Sequence, residues 1–136
     1  MNKTEHVVNG ALVAGAFAVL TDPIQLPIAI VLGGTTALFP DLDTNFGTHR
    51  KTGHNFFVLG LIVALTVIDP IMIYGAIGVA SHFVIDLLSR RGMALFYPFS
   101  SREYPMHGGV TVDDDRAQFL VGVMTLFEIG IVVLVV

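Results

Sequence analysis

The stretch QFLVGVMTLFEIGIVVLVV at residues 118–136 decides the fold, because it is a long, almost continuous apolar run in which Glu128 is the one charged residue. The hydrocarbon core of a bilayer is crossed by a helix of about 20 predominantly apolar residues. The stretch therefore predicts a membrane-spanning helix. Glu128 is costly in lipid, so we expect it to face other helices or water.

Four further apolar runs lie at about 7–20, 24–39, 56–68 and 71–89. They are rich in glycine and alanine, which suits closely packed membrane helices, and prolines mark the breaks between them. Several runs are shorter than a full span, so either flanking residues extend them or some are re-entrant. The sequence predicts an all-α, polytopic membrane bundle of about four to five helices, forming a single domain over residues 1–136.

The composition of the 136-residue chain points to lipid as the solvent for part of its surface, since 54% of residues are hydrophobic and 13% charged. The net charge of -4 argues against nucleic acid as a partner. The absence of cysteine excludes disulfides and thiolate ligands. Lys3 ahead of an apolar run also fits a secretory signal peptide, but the polar residues Glu5, His6 and Asn9 favour a retained first helix.

Side chains that bind metals recur in three clusters that interrupt or end apolar runs, where charged groups are costly unless paired or metal-bound. The clusters are PDLD with Asp41 and Asp43, HRKTGH with His49 and His54, and HFVID with His82 and Asp86, and His6 stands ahead of them. If each run crosses the membrane in turn, all seven residues arrive at one face. We therefore expect a polar metal site at that face.

Spacing supports the same interpretation for two of the clusters. His82 and Asp86, four apart in a helical pattern, project from one helix face. Asp41 and Asp43 follow a proline, and in an extended segment both would point toward one centre. The alternatives are a hydrogen-bonded His–Asp pair and a polar turn.

The seven groups form a mixed oxygen and nitrogen set that favours zinc, with manganese and iron as alternatives. They exceed what one tetrahedral ion needs, so the prediction is one or two divalent ions, or one ion with additional positioning groups or a general base. Asp41 and Asp43 are the candidates for a catalytic base. Arg50 is a candidate catalytic residue that binds a phosphate, with topology-setting charge as its alternative role.

The basic residues predict how the chain is oriented in the membrane. The same helix trace puts all seven Lys and Arg residues on the face of the metal site, which the positive-inside tendency makes cytoplasmic. The sequence thus predicts a multi-pass protein of the inner membrane, with its N-terminus and metal site in the cytoplasm. The acidic run Asp113–Asp115 is interpreted as a solvated loop that caps the last helix.

The motifs ALFPDLD at 37–43, HRKTGH at 49–54, HFVIDLLSRRG at 82–92 and LFYPFS at 95–100 occur in the order of a known family. Together they resemble the YdjM-like, LexA-regulated, membrane-bound, predicted metal-dependent hydrolases. The chain departs from the family pattern at Thr52-Gly53-His54 and at Ser89-Arg90. The resemblance implies a metal site formed by His6, Asp41, Asp43, His49, His54, His82 and Asp86.

Three functions fit these features. The first is a membrane-bound metal-dependent hydrolase that cleaves a phosphoester at the cytoplasmic interface, with membrane lipid as its partner and a phospholipid-like substrate. The second is a metal-ion or proton transporter that uses the His/Asp cluster near the midplane. The third is a structural membrane protein whose polar cluster ties helices together.

Overall fold

Five α-helices make up most of the computed structural model, which describes residues 3–43, 47, 51–90, 92–105, 109–111 and 116–136. They are α1 (Lys3–Thr21), α2 (Leu26–Thr36), α3 (Phe56–Leu65), α4 (Met72–Leu87) and α5 (Ala117–Val135). Short 3₁₀ turns at Pro23–Gln25 and Pro40–Leu42 flank α2. β-pairing in these residues is limited to isolated bridges. The predicted all-α bundle is confirmed.

Three of the described segments are long and apolar enough to cross a membrane: Lys3–Thr21, Pro23–Leu42 and Ala117–Val135. The second joins α2 to its two flanking turns. Helices α3 and α4 are apolar but shorter. Large apolar side chains remain exposed along these helices, such as Leu126 on α5 at 71%. Such a surface is stable in lipid rather than in water.

Polar residues between the apolar runs form the turns. The Asn55 side chain accepts hydrogen bonds from the backbone N–H groups of Phe57 and Val58 and thereby starts α3. Asp22 and Asp69 make the same kind of bond two residues ahead, before α2 and α4. Side chains that accept these bonds satisfy backbone donors that a helix start leaves free.

Glycines bring α1, α2 and α4 into backbone contact. A Cβ atom placed on Gly10 would lie 2.5 Å from the carbonyl oxygen of Gly33, and one placed on Gly78 would clash with the same oxygen. Glycine is therefore required at this crossing, as at other close approaches of membrane helices. The contact holds the three helices together one turn below the polar site.

Helix α5 contacts the bundle along a narrow stripe. Its buried residues are Ala117, Val121, Thr125 and Glu128, which repeat at helical spacing on one face. The rest of the helix is mostly exposed. Glu128 accordingly faces other helices, as expected from the cost of a carboxylate in lipid.

Candidate metal centre

Two histidines from different elements meet at the centre of the polar cluster. His54 directly precedes the residue that caps α3, and His82 lies in the second half of α4. Their Nε2 atoms are 3.0 Å apart, and both side chains are fully buried. Two imidazole nitrogens facing each other at this distance are well placed to share a cation.

The outer nitrogen of each imidazole has an acceptor of its own. The Nδ1 atom of His82 lies 2.6 Å from the carbonyl oxygen of Ala37 at the end of α2. Because a carbonyl can only accept, this Nδ1 carries the proton, and neutral His82 presents the Nε2 lone pair inward. The Nδ1 atom of His54 lies 3.0 Å from Oδ2 of Asp43, which orients the second ring in the same way. Metal-binding histidines are typically oriented by such partners.

Two carboxylate oxygens complete the inner group. Asp86 Oδ2 lies 3.4 Å from His54 Nε2 and 3.6 Å from His82 Nε2. Asp41 Oδ1 lies 3.5 Å and 3.9 Å from the same two nitrogens. Ligands about 2.0 Å from a tetrahedral zinc ion are separated by about 3.3 Å. Each carboxylate is thus spaced from the two histidines much as ligands of one ion are, and buried His/Asp groups here can hold a metal.

His6 extends the cluster from α1. Its Nε2 atom is 3.4 Å from Oδ1 of Asp86, and its ring stacks on His82 with a centroid separation of 3.9 Å. The buried Nδ1 atom of His6 has no hydrogen-bond partner among the described residues. Asp86 thus directs one oxygen toward His6 and the other toward the paired histidines. His6, His82 and Asp86 form a second group that can hold an ion.

The electrostatics of the cluster favour positive charge at its centre. Burial lowers the pKa of His54, but hydrogen bonds that its ring N–H groups donate to Asp41, Asp86 and Asp43 outweigh burial and raise that pKa to about 9. Three carboxylates around one imidazole stabilise a cation in this position. This is the field that a divalent ion requires.

The backbone at the PDLD motif differs from the sequence prediction. Residues Pro40–Leu42 form a 3₁₀ turn, with the preceding Phe39 also helical, so the expected extended segment was wrong. A proline fits the first position of a helical turn because its fixed φ is already suitable. The turn places Asp41 and Asp43 on opposite nitrogens of His54 rather than side by side at one centre.

The structure brings together six of the seven predicted site residues: His6, Asp41, Asp43, His54, His82 and Asp86. Their role as metal ligands stays a prediction. The seventh, His49, and the candidate catalytic Arg50 lie outside the described residues, as do Asp113, Asp114 and Asp115.

A second buried polar group, which sequence reasoning missed, joins α1 to α5. The Asn9 amide donates to Glu128 Oε2 at 3.0 Å and, more weakly, to the carbonyl oxygen of Ser81 at 3.4 Å. The Thr125 hydroxyl donates to Asn9 Oδ1 at 2.5 Å. The available signal was spacing: Asn9 is three residues after His6, and Thr125 three before Glu128, so each pair shares a helix face.

Comparison with known proteins identifies one family. The family described as YdjM inner membrane protein matches residues 1–136. Neither a curated protein nor a solved structure matches the chain.

Proposed function

The chain belongs to the YdjM inner membrane protein family, and from this membership and its His/Asp cluster we propose that it is a membrane-bound, metal-dependent hydrolase. We propose that it cleaves a phosphoester of a lipid-like substrate at the cytoplasmic face of the inner membrane. Zinc is the favoured ion, with manganese and iron as alternatives, because the donors are imidazole and carboxylate.

One observation carries the proposal. The Nε2 atoms of His54 and His82 face each other, while their Nδ1 atoms face a carboxylate and a carbonyl. The two facing nitrogens share one positive charge, either the proton that His54 holds with its raised pKa or a metal ion that displaces this proton. Orienting groups on the outside and lone pairs on the inside are typical of a metal site.

A divalent ion held by His54, His82 and Asp86 would keep a position open for water, and would supply a Lewis acid that polarises a phosphoryl oxygen and lowers the pKa of that water. Asp43 is fully buried against His54, so its proposed role is to position that ring. Asp41 has a side chain 18% exposed, more than His54, His82 or Asp86, so we place the approach of the substrate on its side. Its carboxylate is the proposed acceptor of the proton from the attacking water.

Substrate binding involves the basic residues of the same face. Arg50 is proposed to bind the phosphate of the substrate in bidentate fashion. The positive-inside tendency supports a cytoplasmic orientation of this face and of the N-terminus. An ion at the paired histidines uses the single Nε2 lone pair of His82, so a second ion would be held by His6 and Asp86.

The position of the cluster along the helices favours an interfacial enzyme over a transporter. His6 lies in the first turn of α1, Asp41 follows α2, and Asp86 lies in the last turn of α4. These donors gather where helices begin or end. A transport site is expected near the bilayer midplane, with paths to both faces.

Metal analysis of the purified chain, beside the variant Asp86→Ala, tests the proposal. We expect metal bound to the wild type and an affinity loss in Asp86→Ala beyond the roughly 10–100-fold typical of losing an orienting partner. Glu103→Ala is the matched control, because it removes an exposed carboxylate that pairs with Lys51 and is not one of the site residues. The same samples are assayed for phosphate-headgroup release from phospholipid vesicles.

The outcomes separate the alternatives. Metal-dependent headgroup release by the wild type and Glu103→Ala, and its loss in Asp86→Ala, would support the hydrolase. Metal-loaded protein that cleaves no phosphoester lipid would contradict it, and metal accumulation in proteoliposomes would identify a transporter. If the wild type bound none of zinc, manganese or iron, the structural membrane protein would be the remaining candidate function.

A further inference from the structure

The Asn55 side chain, which is 3% exposed, is bonded at both ends of its amide. Its Oδ1 atom accepts from the backbone N–H groups of Phe57 and Val58 at 3.0 Å and 3.1 Å. Its Nδ2 atom donates to the carbonyl oxygens of Lys51 and Thr52, both at 2.8 Å. An asparagine amide donates two hydrogen bonds and accepts two, so its capacity is used completely. A helix cap needs only the oxygen, and the donated bonds therefore have a second role.

The donated bonds close the segment that carries His54. They run from Asn55 to carbonyls three and four residues earlier, so that Lys51–Asn55, the His54 loop, forms a closed turn. Since the oxygen of the same amide is bonded to the first turn of α3, the His54 loop is fixed to that helix. Helix α3 packs on α4 through Ile62, and α4 carries His82. Asn55 thus connects the backbone of His54 to the two helices beside the centre.

The PDLD turn holds the other side of the His54 loop. Asp43 Oδ2 accepts from the backbone N–H of Gly53 and lies equally close to His54 Nδ1, at 3.0 Å in each case. A Cβ atom on Gly53 would clash with the carbonyl oxygen of Pro40, so the loop lies directly against the turn. The bonds to Asp43 orient the imidazole ring, whereas those to Asn55 hold the backbone that carries it. The loop is therefore held between the PDLD turn and α3.

We propose that Asn55 is a positioning residue of the metal centre, and that its amide holds the His54 loop where the Nε2 atom faces that of His82 before an ion is bound. The proposal rests on the proposed function in one respect, that the centre binds metal. The two Nε2 atoms are 3.0 Å apart, close to the roughly 3.3 Å between the ligands of a tetrahedral zinc ion. A binding site needs its ligands held to within about 0.5 Å, which fixed outer hydrogen bonds provide.

The variant Asn55→Ser separates this role from the start of α3. A serine hydroxyl is as good a helix cap as an asparagine oxygen, so Phe57 and Val58 keep an acceptor. The hydroxyl has a single donor and cannot bond both loop carbonyls. Asn55→Asp is a second variant of unchanged shape, whose carboxylate accepts in the same way and donates nothing. Asp69→Ser is the matched control, since Asp69 makes a similar bond at the opposite end of α4 from His82.

Amide hydrogen exchange of the full chain in detergent micelles, resolved by NMR in the absence of metal, measures how firmly the loop is held. Exchange of an amide reports local opening of the structure around it. We expect Gly53, whose N–H donates to Asp43, to exchange at least about tenfold faster in Asn55→Ser and Asn55→Asp than in the wild type. Val58 should stay protected in both, because its acceptor is retained. Asp69→Ser should leave the exchange of Gly53 unchanged.

Metal titration of the same variants measures what the held loop contributes to the centre. We expect Asn55→Ser to bind zinc about 10–100-fold more weakly, as on loss of an outer partner, and to change the visible spectrum of bound cobalt, which reports ligand geometry. Asp69→Ser should match the wild type in both measurements. Unfolding in mixed detergent is measured beside them, because a change of helix cap alone alters stability and leaves the cobalt spectrum as it is.

Unchanged zinc affinity in Asn55→Ser would overturn the proposal, whatever the exchange at Gly53, and leave Asn55 as a helix cap. Equal loss of protection at Gly53 and Val58 would do the same, since it would mean that the start of α3 had frayed. A wild type that binds zinc but releases no headgroup would contradict the hydrolase and leave the role of Asn55. A wild type that binds no metal would contradict the metal centre, and the exchange of Gly53 would then decide only whether Asn55 holds the His54 loop.

Discussion

The bundle buries two polar clusters that are built in opposite ways. At the His/Asp centre, side chains from α1, α4 and the segment between α2 and α3 surround a common point, and each central imidazole is oriented from outside. At the second cluster, Asn9, Thr125 and Glu128 bond to one another in a chain between α1 and α5. There the buried Oε1 atom of Glu128 has no partner among the described residues.

This difference distinguishes a ligand-binding site from a polar group that only joins two helices by hydrogen bonds. Groups that direct lone pairs to one point repel one another unless a cation or proton lies among them. Groups that pair donor to acceptor are satisfied without a ligand. The two clusters should therefore respond differently to substitution: the first in metal affinity, the second in stability alone.

The largest effect is expected from Gly78→Ala, which disturbs the helices that carry the centre. The added methyl group would meet the Gly33 carbonyl and the Thr36 hydroxyl, so the backbones must separate. We expect a loss of about 1–3 kcal/mol in the free energy of unfolding, as for other overpacked sites, and weaker metal binding. Unfolding in mixed detergent and metal titration would measure the two effects.

Gly60→Ala is the control for this variant, since a Cβ at Gly60 meets nothing within 4 Å. It should be neutral or slightly stabilising, because alanine favours a helix over glycine. If Gly78→Ala behaved like Gly60→Ala, the close helix contact would not be needed to hold the centre.

An intermediate effect is expected from Asp43→Ala, which removes the group that orients His54. Loss of an outer partner typically lowers metal affinity about 10–100-fold. The His54 ring would also lose the acceptor of its Nδ1 proton. Competition with a chelator of known affinity would measure the change. Asp43→Asn retains an acceptor oxygen and should recover part of the affinity, whereas an unchanged affinity in Asp43→Ala would assign Asp43 no positioning role.

The smallest effect is expected at the second cluster. Hydrogen bonds between membrane helices contribute about 0.6 kcal/mol on average. Asn9→Ala should therefore lower the unfolding free energy by about this amount and leave metal affinity unchanged. Glu128→Gln retains an oxygen that accepts from Asn9 and should change neither quantity appreciably. A marked loss of metal in either variant would mean that the two clusters act as one.

Much of this architecture follows from local signals. The apolar runs predicted all five helices, since run length and proline breaks are properties of neighbouring residues. The convergence of His6, His54, His82 and Asp86 followed from counting crossings. The separate positions of Asp41 and Asp43 did not, because a proline is compatible with an extended segment and with the 3₁₀ turn that it begins here, and in the turn the two carboxylates meet different nitrogens of His54.

The partner of Glu128 was also beyond sequence reasoning. Asn9 is far from Glu128 in the sequence, and no pattern joins a helix at the start of the chain to one at its end. Composition predicts that a carboxylate in lipid must be covered. Which amide covers it depends on how α1 and α5 pack.

The glycine crossing has a mechanical consequence. Gly10, Gly33 and Gly78 each lie four residues from a group of the centre, namely His6, the Ala37 carbonyl and His82. The crossing is thus a pivot with a lever arm of about one turn, 5.4 Å. Tilting a helix about this pivot by 10° moves the donor by only roughly 1 Å, while the far ends of the three helices move about 1.5 to 3 times as far. A bundle built in this way can adjust its tilt to bilayers of different thickness with little change among the donors.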